Sequence, residues 1–245
     1  MKKEKAPEIS VIEPAYNEGL AIGNVISNLI KSLDHIDLPY EIIVVDDGSV
    51  DLTGEVAKEA GARVIALPYN HGKGYALRRG FGEATGNIII TMDADGQNDP
   101  NEIWKLIALL KEGADVVAGS RYLTKSQLRS LGFWDRLGNL LFSSGVGFGT
   151  DKLLSDPLTS FRAYKADVIR KLKLYSEGND IDIEITVKVL KTSGLRYAEV
   201  PVKLLPKRYY AQESRIIADS FRIIRRLLVA STQARVRALG DSAHG

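Results

Sequence analysis

The 245-residue sequence reads as an α/β fold: a mostly parallel central sheet flanked by helices on both faces. Three observations lead there. Short apolar runs alternate with longer amphipathic stretches through residue 119. Each apolar run gives way to glycine, asparagine, aspartate or proline, the residues that end strands and begin helices. The composition, 44% hydrophobic and 26% charged, supplies a core without a bias toward disorder.

Taken in order, residues 9–13 predict a strand and 19–33 an amphipathic helix. Residues 40–45 form the next strand, followed by a helix over 51–60 that Asp51 is placed to cap. A short strand covers 63–66, a helix 74–84 and a strand 87–92. Pro100 opens another helix, where proline suits the first turn, and 114–118 is the next strand. The rhythm then breaks. Residues 121–160 are rich in Leu, Phe and Gly and show no clear strand. Residues 160–164 read as a strand, 180–192 as a helix, 195–202 as a strand and 213–238 as one long basic helix. No repeat, low-complexity tract or linker composition interrupts the chain, so one domain with a C-terminal elaboration is expected.

Several function classes are excluded. A net charge of +2 is too small to argue for nucleic acid. With no cysteine there is no disulfide framework, thiolate nucleophile or cysteine zinc site, which fits a reducing cytoplasm. No apolar window is long enough for a membrane span, and the charged N-terminus is unlike a signal peptide, so a membrane role is expected to be peripheral. The chain lacks a P-loop, a Gly-x-Gly-x-x-Gly turn after the first strand and a Gly-x-Ser-x-Gly elbow. Its three histidines, His35, His71 and His244, are scattered.

In open parallel sheets ligands bind beyond the carboxyl ends of the strands. Four stretches lie there: EPAYNEG (13–19), VDDGSVD (45–51), PYNHGKG (68–74) and DADGQ (93–97). They gather Glu18, the pair Asp46 and Asp47, and the pair Asp93 and Asp95. Clustered carboxylates raise one another's pKa unless a cation lies between them, and Mg²⁺ or Mn²⁺ is the simplest remedy. In an extended Asp-Ala-Asp both carboxylates share a face and Ala94 turns away; Gln97 adds a carbonyl. Each piece also has a plainer reading. Asp-x-Asp is common, Asp-Asp-Gly-Ser can be a turn and cap, and Asn-His-Gly-Lys-Gly can be only a loop.

Together these residues resemble the inverting glycosyltransferases of family 2, which have the GT-A fold. The resemblance runs from about residue 9 to 215 through PAYNE (14–18), VVDDGSVD (44–51), NHGKGYAL (70–77), MDADGQNDP (92–100) and GSRY (119–122). Within the family it is strongest toward the dolichol-phosphate mannose synthases and related polyprenyl-phosphate sugar synthases, through DPLTSFRAY (156–164), EVP (199–201) and QESR (212–215). The resemblance implies sugar transfer from a nucleotide-sugar donor to a polyprenyl or dolichyl phosphate. It divides the single domain into a nucleotide-sugar half (about 8–120), an acceptor-side half (about 121–212) and a basic amphipathic helix (about 213–240). By implication Pro14, Tyr16, Glu18, Val45 and Asp47 hold the nucleoside, and Asp93, Ala94 and Asp95 lie along the pyrophosphate. Asp95 and Gln97, with Asp93, hold Mg²⁺ or Mn²⁺. Arg121 reaches phosphate or sugar, and Arg136 grips the acceptor phosphate. Two departures stand out. Ser160 occupies a position where the family often has glycine, which tolerates positive φ where serine does not. Arg215 replaces a lysine, keeping the charge and changing its geometry.

The chemistry adds expectations. A pyrophosphate leaving group needs positive charge, for which Lys73, Arg121, Arg208 and Arg215 are candidates beside the cation. A lipid phosphate is already anionic and needs no general base. A sugar hydroxyl would need one, and Asp156 is the candidate, unless it is only a turn residue before Pro157. The apolar residues of 123–150 are either core or a groove for a prenyl chain, with Arg136 at its mouth. In the C-terminal helix Arg222, Arg225 and Arg226 share one face, while Ile217, Phe221, Ile224 and Leu228 form a stripe. Such a helix either lies on an anionic membrane surface or packs on its own domain. The expectation is a cytoplasmic enzyme, peripheral on the cytoplasmic membrane face. A soluble transferase acting on a glycan hydroxyl and a catalytically silent nucleotide-sugar-binding module remain the alternatives. GDP-mannose, UDP-glucose and UDP-N-acetylglucosamine all fit the donor motifs.

Overall fold

The computed structural model describes residues 6–124, 139–140, 143–144, 146–147, 150 and 152–205. The element order is β1 (Ile9–Ala15), α1 (Ile22–Asp34), β2 (Tyr40–Asp46), α2 (Thr53–Glu59), β3 (Arg63–Ala66), α3 (Lys73–Glu83) and β4 (Ile88–Thr91). A 3₁₀ turn, Pro100–Glu102, leads into α4 (Ile103–Lys111), then β5 (Val116–Ser120), β6 (Arg162–Lys165), α5 (Ala166–Lys171), α6 (Ile181–Lys191) and β7 (Tyr197–Pro201).

The strands form one seven-stranded sheet in the order β3-β2-β1-β4-β6-β5-β7. Only β6 runs antiparallel, paired with β4 on one side and β5 on the other; all other pairs are parallel. The apolar run at 160–164 is visible in the sequence, but apolar content does not encode strand direction. The helix α5 was not expected. Six residues are too few to show a helical period. It starts directly after β6, where the chain must turn onto the face of the sheet.

Both faces of the sheet are covered. On one, Ile22, Ile26, Leu29 and Leu33 of α1, Ala57 of α2 and Ile103, Leu106 and Leu110 of α4 pack on Val11, Val44, Ile90 and Val117. On the other, Ala76, Leu77 and Phe81 of α3 and Ile181, Ile185 and Val189 of α6 pack on Ile12, Ile43, Ile89 and Val116. The near-continuous apolar composition of β1, β2 and β4 follows from burial on both sides. Asp99 caps the 3₁₀ turn through Asn101 N–H, 3.0 Å away, with Pro100 at the first position. Among the described residues no helix is long and apolar enough to cross a membrane. The basic helix expected over 213–238 lies outside the described residues.

Candidate active site

The carboxyl ends of β1, β2, β4 and β5 open onto one edge of the sheet. Because β6 is antiparallel, its amino end arrives at that same edge. Its register pairs Thr91 with Arg162, and two residues further along it sets Ser160 opposite Asp93. Strand direction therefore brings the segment ahead of β6 into the site.

The first two loops are stitched together. Asn17, in the left-handed region at φ 55°, donates its N–H to Ser49 Oγ at 2.9 Å and accepts Val50 N–H on its side chain at 2.9 Å. Asparagine tolerates that conformation better than most residues. Glu18 N–H reaches Thr53 Oγ1 at 2.8 Å and Gly19 N–H reaches Asp51 at 3.1 Å. Asp51 also accepts Thr53 N–H at 3.0 Å at the start of α2, as expected of a cap. Tyr16 is exposed on this rim. Pro14 and Val45 are neighbours across β1 and β2; the Val45 side chain is fully buried in the core, so it offers the site no side-chain surface.

Asp47 is buried, and its carboxylate accepts the N–H of His71 at 2.9 Å and of Gly72 at 2.7 Å. Burial raises its pKa against the pull of those two amides. The bonds shape the loop that delivers Lys73. Gly72 is at φ 98°, and a Cβ there would collide with the Glu177 carbonyl oxygen, so only glycine fits. Beside it the rings of Tyr69, His71 and Tyr75 stack with successive centroids 4.2 Å apart.

Lys73 Nζ lies 3.0 Å from Asp93 Oδ1 and 3.0 Å from Asp182 Oδ2. Burial disfavours its charge, but the two carboxylates outweigh that and hold its pKa above the usual lysine range. The other oxygen of Asp93 accepts from Ser160 Oγ. Burial raises the Asp93 pKa, Lys73 and Ser160 lower it, and the balance lies below the usual aspartate range. Ala94 is buried among the α1-side core residues, consistent with its side chain turning away from the flanking carboxylates. Asp95 accepts Gln97 N–H at 3.0 Å and the Gln97 side-chain amide at 2.7 Å.

At the end of β5, Arg121 grips Asp156 from both ends of its guanidinium, Nε to Oδ2 at 2.6 Å and Nη2 to Oδ1 at 2.7 Å. Asp156 is 0% exposed and also accepts the Arg121 N–H at 3.1 Å. Glu199 on β7 holds the backbone there, accepting Ser155 N–H at 2.8 Å and Asp156 N–H at 2.9 Å. Asp93, Asp95, Gln97, Asn98, Arg121, Leu158, Thr159, Ser160 and Leu204 line a cleft of about 110 Å³. Asp156 does not line it.

The donor set suits a hard divalent cation. Asp95 and Gln97 offer oxygens on the cleft wall, and among the described residues no three acidic or histidine side chains form a closed cage. An ion that keeps phosphate oxygens and water as ligands needs only one or two carboxylates.

Residues 10–173 match the family described as glycosyl transferase family 2. The chain is a family 2 glycosyltransferase. It is 34% identical over 233 residues to an uncharacterized protein of Methanocaldococcus jannaschii, covering 91% of each chain. It is 33% identical over 187 residues to a dolichol-phosphate mannosyltransferase of Pyrococcus furiosus, covering 74% of this chain and 53% of that one. An undecaprenyl-phosphate 4-deoxy-4-formamido-L-arabinose transferase of Edwardsiella ictaluri is 34% identical over 202 residues, covering 80% and 59%. The chain thus spans somewhat more than half the length of these two named relatives. Among solved structures, glucosyl-3-phosphoglycerate synthase from Mycobacterium tuberculosis, in complex with Mn²⁺, UDP-glucose and phosphoglyceric acid, superposes with a TM-score of 0.71. It is 24% identical and covers 92% of this chain and 80% of that one, a likeness of fold. The fold is GT-A.

Of the residues expected at the glycosyltransferase site, the structure brings together Lys73, Asp93, Asp95, Gln97 and Arg121, with Tyr16, Glu18 and Asp47 on the neighbouring loops. Arg136, Arg208 and Arg215 lie outside the described residues, as does most of 123–150; of that segment Val146 is buried and Leu140 exposed. Ser160 does not take the positive φ of a glycine: among the described residues Asn17 is the only non-glycine with one.

Three residues of the site's surroundings were missed. Asp182, buried at the start of α6, reads in the sequence as one of several acids suited to a helix N-terminus. Arg162 is fully buried and donates to the carbonyls of Thr159 at 2.7 Å, Asp182 at 2.9 Å and Pro157 at 2.9 Å. Glu13 is fully buried on β1, and neither oxygen has a hydrogen-bond partner among the described residues. Burial, then Asp93, pushes its pKa up to about 8. The last two carried a legible signal: a charged residue inside an apolar run must find partners or neutralise.

Proposed function

We propose that this chain transfers a sugar, with inversion, from a nucleotide-sugar donor to a polyprenyl phosphate, with Mg²⁺ or Mn²⁺ bound. The observation that carries the choice of acceptor is the state of Asp156. A hydroxyl acceptor needs a base within hydrogen-bond reach, and Asp156 is buried and held at both oxygens by Arg121. A lipid phosphate requires no proton to be removed. The named relatives from Pyrococcus furiosus and Edwardsiella ictaluri, whose names contain dolichol phosphate and undecaprenyl phosphate, support the same acceptor class.

In this reading Pro14, Tyr16 and Glu18 border the nucleoside, and Asp47 acts by shaping the loop that carries Lys73. Arg121 lines the cleft and Lys73 stands behind Asp93, and these two cations serve the pyrophosphate. Asp95 and Gln97 hold the cation, which supplies Lewis-acid neutralisation of the leaving pyrophosphate. An acceptor phosphate oxygen forms the new bond to the anomeric carbon. The bond from that carbon to the pyrophosphate oxygen breaks, and the nucleoside diphosphate leaves with the electron pair. Asp156 is a positioning residue: it aims Arg121. In the same reading Arg136 and the basic segment 213–238 complete the acceptor side, at the phosphate and at the membrane surface respectively.

The test is incubation with a defined polyprenyl phosphate and, in turn, GDP-mannose, UDP-glucose and UDP-N-acetylglucosamine, with and without Mg²⁺ or Mn²⁺. The expected product is a glycosyl phospholipid of inverted anomeric configuration formed from one donor. Transfer only to a glycan hydroxyl, or no cation-dependent donor turnover at all, would overturn the reading.

A further inference from the structure

Glu199, which opens the EVP stretch, is half-buried on β7 and does not line the cleft. Its carboxylate accepts two consecutive backbone N–H groups, that of Ser155 on Oε2 at 2.8 Å and that of Asp156 on Oε1 at 2.9 Å. Both of its oxygens are thus committed to one short strap of chain. β7 ends the sheet and pairs with β5, with Glu199 opposite Ala118. The strap is thereby set at a fixed height against β5, beside Arg121. The Ser155 hydroxyl lies 2.6 Å from that of Ser120, a second tie to β5. This height decides which edge of the Arg121 guanidinium Asp156 takes. A guanidinium is a planar fork that offers a carboxylate either its side, Nε with one Nη, or its end, the two Nη groups. Asp156 takes the side, with Nε at 2.6 Å and Nη2 at 2.7 Å, and the Arg121 backbone N–H shares Oδ2 at 3.1 Å. Nη1 takes no part in the pair. Asp156 is 0% exposed, and a buried carboxylate stripped of its cation is costly. Arg121, on the cleft wall, therefore serves an anion there only if it keeps Asp156 at the same time.

The geometry points to Glu199 as a positioning residue that, through Asp156, holds the Arg121 guanidinium side-on and leaves its Nη1 edge for an anion in the cleft. The donor diphosphate is that anion, and for this identity the inference rests on the proposed function. Its first measurement needs no donor. In Glu199→Gln an amide NH₂ replaces one acceptor oxygen and faces a backbone N–H, so one tie to the strap is lost. The ligand-free full chain is treated with phenylglyoxal, and modification of each arginine is followed by peptide mass spectrometry. Arg121 is expected to react several-fold faster in Glu199→Gln than in the wild type, while Arg79, exposed on α3, keeps its rate. Glu199→Asp, which keeps the charge on a shorter stem, repeats the comparison if the glutamine variant melts early. The second measurement is calorimetric titration with UDP and with GDP in Mn²⁺. Affinity for the diphosphate that the wild type binds is expected to fall about tenfold, the scale of one charge-assisted hydrogen bond. In an Arg121→Ala background Glu199→Gln should cost nothing further, an outcome that general loosening of the fold would not give. Unchanged Arg121 reactivity in both variants, unchanged diphosphate affinity, or a loss that adds in full to that of Arg121→Ala would overturn the assignment. Faster Arg121 reaction in a chain whose wild type binds neither nucleoside diphosphate would overturn the transferase reading and leave the Glu199 role standing.

Discussion

Asp95 accepts both amides of Gln97 on the cleft wall, whereas Asp93 is clamped between a lysine and a serine. Substituting Asp95 removes one of the clustered carboxylates at the sheet edge and with it part of their mutual repulsion. Asp95→Ala is expected to keep its melting temperature while Mn²⁺-dependent kcat falls by about 100-fold or more, the scale of losing a preorganised charge-stabilising contact. Near-normal kcat in saturating Mn²⁺ would remove Asp95 from the cation site. Glu13 supplies a pH prediction of opposite character. Its pKa is about 8 in the fold against an ordinary value of 4.5. Between those values the folded state binds a proton that the unfolded chain does not, so stability falls as pH rises through the window. Glu13→Gln removes the titration. Its stability relative to wild type is expected to grow from pH 5 to pH 8 by a few kcal/mol, read by urea unfolding at both pH values. A constant difference would mean that Glu13 is ionised throughout.

Among the elements, β6 shows what patterning conveys and what it withholds. Its presence was legible, as was that of β1, β2 and β4, whose burial on both faces leaves continuous apolar stretches. Its direction was not, and that direction puts Ser160 beside Asp93. Helix periodicity placed α1, α3 and α6 within a few residues, but could not tell Asp182, which meets Lys73, from its acidic neighbours Asp180 and Glu184 at the same helix start. The loop motifs revealed which side chains gather at the sheet edge. They did not reveal that Asp156 is spent on Arg121, since pairing depends on rotamers and burial rather than residue type. Arg162 anchors the amino end of β6 through three carbonyls. In Arg162→Met those carbonyls lose their donors, at about 1–3 kcal/mol each. A loss of at least about 3 kcal/mol is expected, a melting temperature lower by roughly 6–12 °C for a chain of this size. Calorimetry showing an unchanged midpoint would mean that water replaces the guanidinium without cost.

At the scale of the whole molecule, a prenyl-phosphate acceptor requires the site to meet a membrane. The described residues contain no spanning helix, and the basic stripe of Arg222, Arg225 and Arg226 is the sequence feature suited to an anionic surface. Co-sedimentation with anionic liposomes should be salt-sensitive and weaken in the Arg222→Glu, Arg226→Glu double variant. Each basic residue near the surface contributes about 1 kcal/mol. No sedimentation of the wild type at low salt would exclude attachment through this stripe. The antiparallel entry of β6 has one more consequence. Gly119 N–H meets the Phe161 carbonyl at 2.8 Å, so the excursion between β5 and β6 leaves and rejoins the sheet at neighbouring points. Lengthening a loop whose ends already touch costs little. Such an excursion can be rewritten in length and content while β1 to β5, which carry the donor motifs, keep their registers. On the proposed reading, the topology thereby separates the inheritance of donor chemistry from the diversification of acceptors.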